Sequence, residues 1–443
     1  NDIDQSVLGD TIISCLIFHA ESVCADAVNF KDSNCHDRDR KIDKILTGKF
    51  TAFPVMLLLL GLIFWITVTG ANYPSAILSD FLFSLEKYLV DFFELLKFPK
   101  FLYEMLVYGM YRVLAWVVSV MLPPMAIFFP LFTILEDIGY LPRVAFNLDK
   151  CFKSSGTCGK QALTMCMGLG CNAAGVTGCR IIDSKRERLI AILTNSFMPC
   201  NGRIPTLIAI STMFIVLGDV LSSSVSTLTL VLLIVLSVFI TLAISKFLSK
   251  TLLKGVASSF TLELPPYRKP QFLKVIVHSI FDRTIYVLAR AVSVAAPAGV
   301  IIWLLANISI GNVSLLHHCT EFLDPFAHLF GLDGVILMAF ILGLPANEIV
   351  IPLIVMTYSA NGILSQSSDI MQMKDLFLAN GWTFRTAICV MIFMLIHWPC
   401  STTLLTIKKE TGSIKWMLSA FLIPTIIGLI LCFVFFQISS LFI

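Results

Sequence analysis

The chain carries little charge. Lys, Arg, Asp and Glu make up 14% of its 443 residues, whereas a soluble globular protein carries about 25%. Hydrophobic residues reach 57% and the mean hydropathy is +0.86, so an ordinary soluble domain is excluded and the lipid bilayer is the expected surroundings. The net charge of +3 is spread over loops instead of forming a stripe, which argues against nucleic acid as a partner.

Several catalytic and structural motifs are absent. The sequence has no H-E-x-x-H and no G-x-S-x-G, the patterns of zinc proteases and serine hydrolases, so we predict that the chain is not an enzyme. It also lacks Cys-x-x-Cys pairs, which are typical of structural zinc sites. Most of the thirteen cysteines lie in apolar runs or basic loops and are predicted to be reduced thiols.

Long apolar runs are the main positive feature. A bilayer core of about 30 Å needs roughly 20 helical residues. Runs of this kind cover 51–70, 113–135, 189–217, 226–244, 285–308, 386–407 and 417–436, and only Arg203 and Arg290 bring a charge into them. They predict an all-α polytopic membrane protein with about seven full transmembrane spans.

The chain is internally duplicated. Residues 113–123 and 287–297 share V-L-A-x-x-V-S-V-x-x-P at an offset of 174 residues (287 − 113). Each copy is followed by a Gly-interrupted apolar segment and then by a Pro-Cys pair, at Pro199-Cys200 and Pro399-Cys400. Two repeats with broken helices at matching places are typical of transporters whose site lies between the halves.

The distribution of Lys and Arg gives an orientation. Basic loops are expected on the cytoplasmic side, and they occupy 38–49, 143–160, 180–188, 246–274 and 408–415. We therefore predict a cytoplasmic N-terminus and an external C-terminus, with re-entrant segments at 162–179 and 335–358 and with the two repeats inverted. If one of these segments spans instead, Lys408, Lys409 and Lys415 are placed outside.

These assignments divide the chain into six parts. They are a cytosolic helical stalk or linker (1–47), the first span with an external amphipathic segment (48–103), gate repeat 1 (104–217), a connecting span with a cytosolic loop (218–284), gate repeat 2 (285–407) and a C-terminal span (408–443).

The broken segments contain the candidate site. G-L-G-C-N at 168–172 aligns with G-L-P-A-N at 343–347, and Glu348 follows. A carboxylate inside the membrane costs about 2.5–3.5 kcal/mol, which a bound cation offsets. The predicted metal or transport path consists of Cys171, Asn172, Cys200, Asn347, Glu348 and Cys400, and the predicted helix-break positions are Gly168, Gly170, Gly343, Pro345, Pro199 and Pro399.

Thiol, carboxylate and amide donors together suit a borderline divalent ion such as Fe(II), because Mg²⁺ and Ca²⁺ prefer oxygen ligands alone. The alternative for each cysteine is a packing role, and for Glu348 it is a carboxylate that is hydrogen-bonded for packing. Donor type does not separate Fe(II) from Mn(II) or Co(II).

A set of short motifs follows in order along the chain, namely L-E-D-I-G-Y-L-P-R at 135–143, G-K at 159–160, G-L-G-C-N at 168–172, F-M-P-C at 197–200 with R-I-P at 203–205, L-P-A-N-E at 344–348, P-C at 399–400 and E-T-G-S at 410–413. With this set, the chain from about residue 43 onward resembles the membrane domain of the bacterial ferrous iron transport protein B family (FeoB). The resemblance implies two gate repeats, Fe(II) as the transported substrate, a bacterial cytoplasmic membrane location, and Cys171, Cys200 and Cys400 in the ion path.

The resemblance also implies partners. Family members usually carry a GTP-binding domain, so GTP and Mg²⁺ would act only through such a domain, fused or separate, since G-x-x-x-x-G-K-[ST] is absent here. A small cytosolic accessory protein of the same system and a homo-oligomer are further expected partners, besides membrane lipid. Two departures from the family pattern are Ala173-Ala174, where Pro often follows Cys-Asn, and Cys158, where Ser is common.

Two other substrates are left open by the residues, namely another divalent metal and a small organic solute such as a nucleoside. Nucleoside pockets need aromatic stacking and neutral polar groups. The two broken segments contain only Phe340 and Tyr358 as aromatic residues, which favours the metal. Channel-like and alternating-access transport are not distinguished by the sequence.

Overall fold

The computed structural model describes residues 5–27, 33–48, 50–215, 222–255, 267, 271–311, 313–359 and 370–441. These residues are almost entirely helical, and the strands among them form one short antiparallel pair, β1 (Ser309–Ile310) and β2 (Val313–Ser314). The helices are α1 (Gln5–Ala27), α2 (Ser33–Leu46), α3 (Ala52–Leu95), α4 (Lys100–Glu104), α5 (Arg112–Ile138), α6 (Tyr140–Ser154), α7 (Lys160–Gly170), α8 (Asn172–Gly178), α9 (Lys185–Thr194), α10 (Ile204–Phe214), α11 (Ser222–Lys250), α12 (Phe272–His278), α13 (Tyr286–Asn307), α14 (Leu315–His328), α15 (Gly334–Leu342), α16 (Val350–Ser359), α17 (Ile370–Ala379), α18 (Phe384–Ile396), α19 (Ser401–Thr411) and α20 (Ile414–Ser440).

The predicted all-α polytopic membrane architecture is confirmed. Six helical stretches among the described residues are long and apolar enough to cross a bilayer, namely Ala52–Leu95, Lys100–Ile138, Val231–Lys250, Phe272–Asn307, Phe384–Thr411 and Ile414–Ser440. The apolar run at 189–217 is not one helix, because α9 passes into a 3₁₀ turn at Asn195–Phe197 and the chain becomes irregular before α10 begins.

Helix α3 is longer than a single span requires. Its 44 residues correspond to about 66 Å, roughly twice the thickness of the hydrocarbon core. The amphipathic segment predicted after residue 70 is therefore the direct continuation of the first span. Its distal half is held where α5 begins: Tyr111, just before α5, donates a hydrogen bond to the carbonyl of Leu82 at 2.7 Å, and Arg112, the first residue of α5, pairs with Glu86 at 3.6 Å.

The duplication extends to irregular features of the backbone. A seven-residue π-helix precedes α5 at Met105–Tyr111, and another precedes α13 at Ser279–Ile285. Their starting positions differ by 174 residues (279 − 105), the same offset as the sequence repeat. Because π-helical turns are rare, two of them at this offset indicate that both copies keep one backbone design.

A second repeated feature is a hydrogen bond from a glycine to an aspartate, found just before α7 and again at the start of α15. The backbone N–H of Gly159, beside α7, donates to Asp149 Oδ1 at 2.8 Å, and that of Gly334, at the start of α15, donates to Asp324 Oδ1 at 2.8 Å. The aspartates are 175 residues apart (324 − 149). A Cβ at either glycine would collide with a backbone carbonyl of the preceding helix, so each close approach requires glycine.

A buried cluster fastens the segment before α3 to α6. Arg143 is 1% exposed, and its Nε donates to Asp43 Oδ1 at 2.9 Å while its Nη1 donates to the carbonyl of Gly139 at 2.6 Å. The ring of Tyr267 lies 4.0 Å from the guanidinium, and its hydroxyl donates to Asp43 Oδ1 at 2.6 Å. The end of α2 and the loop after α11 therefore meet on the same face of α6.

We predict that Asp43→Asn lowers the melting temperature at pH 7, because it removes the carboxylate that pairs with the buried Arg143 guanidinium, a change worth about 3 kcal/mol. Burial raises the pKa of Asp43, but hydrogen bonds from Arg143 and Tyr267 and the charge of Arg143 together lower it below its ordinary value. The ion pair therefore stabilises the fold above the ordinary pKa of aspartate, about 3.9, and this contribution is lost as the pH falls through the lowered value.

The measurement is thermal unfolding in detergent from pH 7 downward. The difference between the native chain and Asp43→Asn should shrink below about pH 4. Asp80→Asn is the matched control, since Asp80 is exposed on α3. Equal melting temperatures for the native chain and Asp43→Asn at pH 7 would contradict the assignment.

Candidate functional site

The first hairpin folds around one asparagine. Helices α7 and α8 are separated only by Cys171, which is extended at φ −151° and ψ 123°. A Cβ on Gly168 or on Gly175 would lie 2.7 or 2.6 Å from the side-chain amide of Asn195, so the two half-helices enclose that amide. Asn195 Nδ2 also donates to the backbone carbonyl of Asn172 at 2.9 Å, which ties the break to the neighbouring element.

The second hairpin breaks in the same backbone conformation. Between α15 and the 3₁₀ turn at Asn347–Ile349, Ala346 is extended at φ −154° and ψ 118°, close to the angles of Cys171. The two positions are 175 residues apart (346 − 171), so the sequence alignment of the two broken segments corresponds to one repeated break. An asparagine follows it in both copies, at Asn172 and Asn347.

Each Pro-Cys pair lies beside the break of its own hairpin. The backbone N–H of Asn201 donates to the carbonyl of Gly170 at 3.3 Å, and that of Ser401 donates to the carbonyl of Leu344 at 2.8 Å. The residue that follows each cysteine is thus hydrogen-bonded to a carbonyl freed by the broken helix. Cys200 and Cys400 are held at the depth of the two breaks by this repeated bond.

Six predicted path residues line one cavity of about 40 Å³ between the repeats. Repeat 1 contributes Cys171, Asn172 and Cys200, and repeat 2 contributes Asn347, Glu348 and Cys400. Of the predicted helix-break residues, Gly170 and Pro345 also line the cavity, whereas Gly168, Gly343, Pro199 and Pro399 do not. Within the part of the chain that the structure describes, no three His, Cys, Asp or Glu side chains form a ready metal-binding cluster.

Glu348 is the charged group of this cavity. It is 9% exposed, and its Oε1 has no hydrogen-bond partner among the described residues. A Cβ on Gly202 would lie 2.8 Å from Glu348 Oε2 and 3.9 Å from Cys200 Sγ, so the carboxylate of repeat 2 reaches across to the Pro-Cys segment of repeat 1. A buried carboxylate with an unpaired oxygen is costly, which favours a cation here.

Hydrogen bonds orient the two cavity asparagines. The amide nitrogen of Asn172 donates to the carbonyls of Gly168 and Met198, at 3.0 and 3.2 Å. His397 is buried, and its Nδ1 lies 3.0 Å from the carbonyl of Met394, which can only accept, so Nδ1 carries the proton. Its Nε2 lies 3.3 Å from the side-chain amide of Asn347, so the buried imidazole positions that amide.

Arg203 joins the two repeats beside the cavity. Its side chain is fully buried, and its Nη1 donates to the carbonyls of Ser196 and Leu395 at 2.9 and 3.0 Å. Its Nη2 donates to the carbonyls of His397 and Trp398, both at 3.0 Å. A guanidinium from repeat 1 therefore satisfies carbonyls freed where α18 ends in repeat 2, next to Cys400.

Sequence reasoning missed the roles of Asn195, Gly202, Arg203 and His397. The available signal was the position of Arg203 and His397, since an ionisable residue within an otherwise apolar membrane run is a site hypothesis by default. Asn195 and Gly202 carried no such signal, because their importance arises from contacts with residues distant in the chain.

A further ion pair links the repeats away from the cavity. Arg180, after α8, forms two parallel hydrogen bonds with Glu410 near the end of α19, at 2.8 and 2.7 Å. The hydrogen bonds to Glu410 and its charge raise the pKa of Arg180. Such a bidentate geometry fixes orientation as well as contact, so the ends of the two repeats meet on the basic side of the protein.

The fold and this cavity define a class of protein: a polytopic helical membrane protein with two broken-helix repeats that enclose a small site. Comparison with known families agrees. The Gate family, described as nucleoside recognition, matches residues 118–214 and 288–414, together half of the chain. The family described as ferrous iron transport protein B C terminus matches residues 230–282. The chain belongs to the Gate family and corresponds to the membrane part of the ferrous iron transport protein B family.

Curated relatives cover nearly all of it. The chain is 29% identical over 444 residues to the Fe(2+) transporter FeoB of Staphylococcus aureus (strain MSSA476), covering 96% of this chain and 63% of that protein. It is 25% identical over 428 residues to the transporter of the same name from Leptospira interrogans serovar copenhageni, covering 91% of this chain and 60% of the relative. In Porphyromonas gingivalis, an Fe(2+) transport protein A/Fe(2+) transporter FeoB fusion protein is 24% identical over 451 residues, covering 91% and 52%.

The chain thus spans less than two thirds of the length of these relatives. No solved structure matches it.

We predict that Gly168→Ala destabilises the protein, because the added methyl would lie 2.7 Å from Asn195 Oδ1 in a closed hairpin. Overpacking of this kind costs about 1–3 kcal/mol, which exceeds the gain in helix propensity of about 1 kcal/mol. The control is Gly61→Ala on α3, where a Cβ meets nothing within 4 Å. Thermal unfolding in detergent should show a lower melting temperature for Gly168→Ala alone, and equal behaviour of the two variants would contradict the closed hairpin.

Proposed function

We propose that this chain forms the path by which Fe(II) crosses the bacterial cytoplasmic membrane, through the cavity between its two repeats. One observation carries the proposal. The buried Glu348 carboxylate, with an oxygen that lacks a hydrogen-bond partner among the described residues, shares this cavity with Cys171, Cys200 and Cys400. The relatives are named Fe(2+) transporter FeoB, which supports the same substrate.

The donor set supports a borderline divalent ion. The cavity offers sulfur from three cysteines, the carboxylate of Glu348 and the side-chain amide of Asn347. Mg²⁺ and Ca²⁺ favour oxygen alone, whereas Fe(II) accepts mixed ligands. An ion in transit must be bound strongly enough to enter and weakly enough to leave, and donors shared between two repeats allow both, because relative movement of the repeats changes how many of them reach the ion.

The size of the cavity argues against a nucleoside, despite the description of the Gate family. A volume of about 40 Å³ accommodates an ion or a few waters, since one water needs about 10–15 Å³ of free cavity volume. Pockets for organic ligands reach about 300–1,000 Å³ and are rich in aromatic side chains. The described residues that line this cavity include no aromatic one.

The orientation and the partners belong to the same proposal. The N-terminus lies in the cytoplasm, on the side of the basic loops. The relatives have more than a third of their length outside the part that matches this chain. A GTP-binding domain would lie in that additional part, and GTP and Mg²⁺ would act through it. The Porphyromonas gingivalis fusion protein, whose name includes Fe(2+) transport protein A, supports a small accessory partner. The chain itself performs no enzymatic reaction in this scheme.

We expect Glu348→Gln and Cys200→Ser each to reduce Fe(II) uptake at least about tenfold, because each removes an ionic or sulfur donor worth 1.4 kcal/mol or more. Uptake is measured in proteoliposomes that contain the protein in its natural full-length form, under reducing conditions. Cys24→Ser is the control, since Cys24 is exposed on α1 far along the chain from either repeat.

Competition distinguishes the substrates. Excess adenosine should leave Fe(II) uptake unchanged, whereas Mn(II) and Co(II) should compete in proportion to their affinity for the mixed donor set. Native uptake by both site variants would rule out this path, and competition by adenosine would favour the organic solute instead.

A further inference from the structure

A second cavity lies apart from the ion path. It has a volume of about 510 Å³ and is enclosed by α3, α5, α6, α7 and α11, which places it in the size range of sites for organic ligands. Its walls are formed almost entirely by apolar side chains, and its floor consists of the buried residues Phe132, Met165, Leu169 and Met198. We refer to it as the apolar groove.

The open side of the groove faces the hydrocarbon of the bilayer. Phe53 and Leu57 on α3 and Val235 and Phe239 on α11 form its rim, with exposed fractions of 53%, 56%, 47% and 66%. Both helices are candidate membrane spans. A gap between two spans that is bordered by exposed apolar side chains opens to lipid rather than to water.

The depth of the groove matches one leaflet. Its wall on α3 extends from Phe53 to Ile63, ten residues that rise about 15 Å, or half of a hydrocarbon core of about 30 Å. One end is at the beginning of α3 and beside Cys151 on α6, next in sequence to Lys150. Lys150 is exposed, whereas the nearby Lys153 is paired with Asp149 at 3.0 Å.

We propose that the apolar groove binds one acyl chain of an anionic phospholipid from the leaflet on the basic side, with its headgroup near Lys150. Filling an apolar cavity with water is unfavourable, and acyl chains form the surrounding medium at this depth. A lysine at the membrane surface attracts anionic headgroups. The groove's leaflet depth, lateral opening and basic end together specify a lipid instead of a soluble ligand.

This site lies directly behind the ion path. Met165 and Leu169 on the floor belong to α7, which ends at Gly170, beside Cys171 in the cavity between the repeats. A bound chain therefore supports the back of α7 at the level of its break. Only this consequence rests on the proposed function, since lipid binding itself can be measured without transport.

The test uses native mass spectrometry of the full-length protein after extraction and exchange into detergent with phosphatidylglycerol or phosphatidylcholine. Val238→Trp and, as a smaller change on the opposite wall, Leu60→Phe fill the groove. Leu236→Trp is the matched control on α11, because Leu236 is exposed and outside the groove. The native chain and Leu236→Trp should retain one phosphatidylglycerol, and the two filled variants should lose it.

Lys150→Gln should abolish the preference for phosphatidylglycerol over phosphatidylcholine while lipid is still retained. Retention of lipid by both filled variants, with unchanged melting temperatures, would overturn the proposal. A native chain that retains no lipid would do so as well. If the native chain is a homo-oligomer and filling the groove makes it monomeric, the occupant is a second copy and the proposal is likewise overturned. Loss of lipid with unchanged Fe(II) uptake would remove only the support for α7.

Discussion

Helices that break inside a membrane free backbone groups that water cannot satisfy, and this constraint determines the rest of the structure. Each break here finds its partners within the protein. The guanidinium of Arg203 donates hydrogen bonds to four backbone carbonyls. The side-chain amide of Asn195 donates to the carbonyl of Asn172, at the break of the first hairpin. Because three of the Arg203 bonds go to repeat 2, the group that satisfies the backbone also fixes one repeat against the other. The position of the cavity follows from that attachment.

The duplicated scaffold is filled with different side chains. The residue at each break has the same extended backbone conformation, but it is Cys171 in repeat 1 and Ala346 in repeat 2. The position of Glu348 corresponds to Ala173 in the first copy (348 − 175). At the break, repeat 1 thus contributes a thiol and repeat 2 does not. The carboxylate comes from repeat 2 alone. The cavity therefore has different side chains on its two sides, because the two copies have diverged in sequence while their backbones have not.

Much of this could be predicted from the sequence, since hydropathy and a repeated motif report local properties. The offset between the copies, the two broken segments and six of the residues that line the cavity follow from patterns of that kind. Three other features depend on contacts between segments that are distant in the sequence. They are the position of Asn195 between the two half-helices, the contact of His397 with Asn347, and the space that Gly202 leaves for Glu348. No periodicity encodes such contacts. The unbroken length of α3 was likewise hidden, because its charged distal half resembles a separate surface helix.

Helix α6 connects three of these features. Its Arg143 holds the segment before α3 through Asp43, its Asp149 accepts the hydrogen bond from Gly159 at the start of α7, and its Val144, Leu148 and Phe152 line the apolar groove. Packed helices transmit displacement because close-packed interiors have few voids to absorb it. A shift of the segment before α3, or of a lipid in the groove, therefore reaches α7 through α6. Since α7 ends beside Cys171, such a shift would change the distance between the thiols of repeat 1 and the carboxylate of repeat 2.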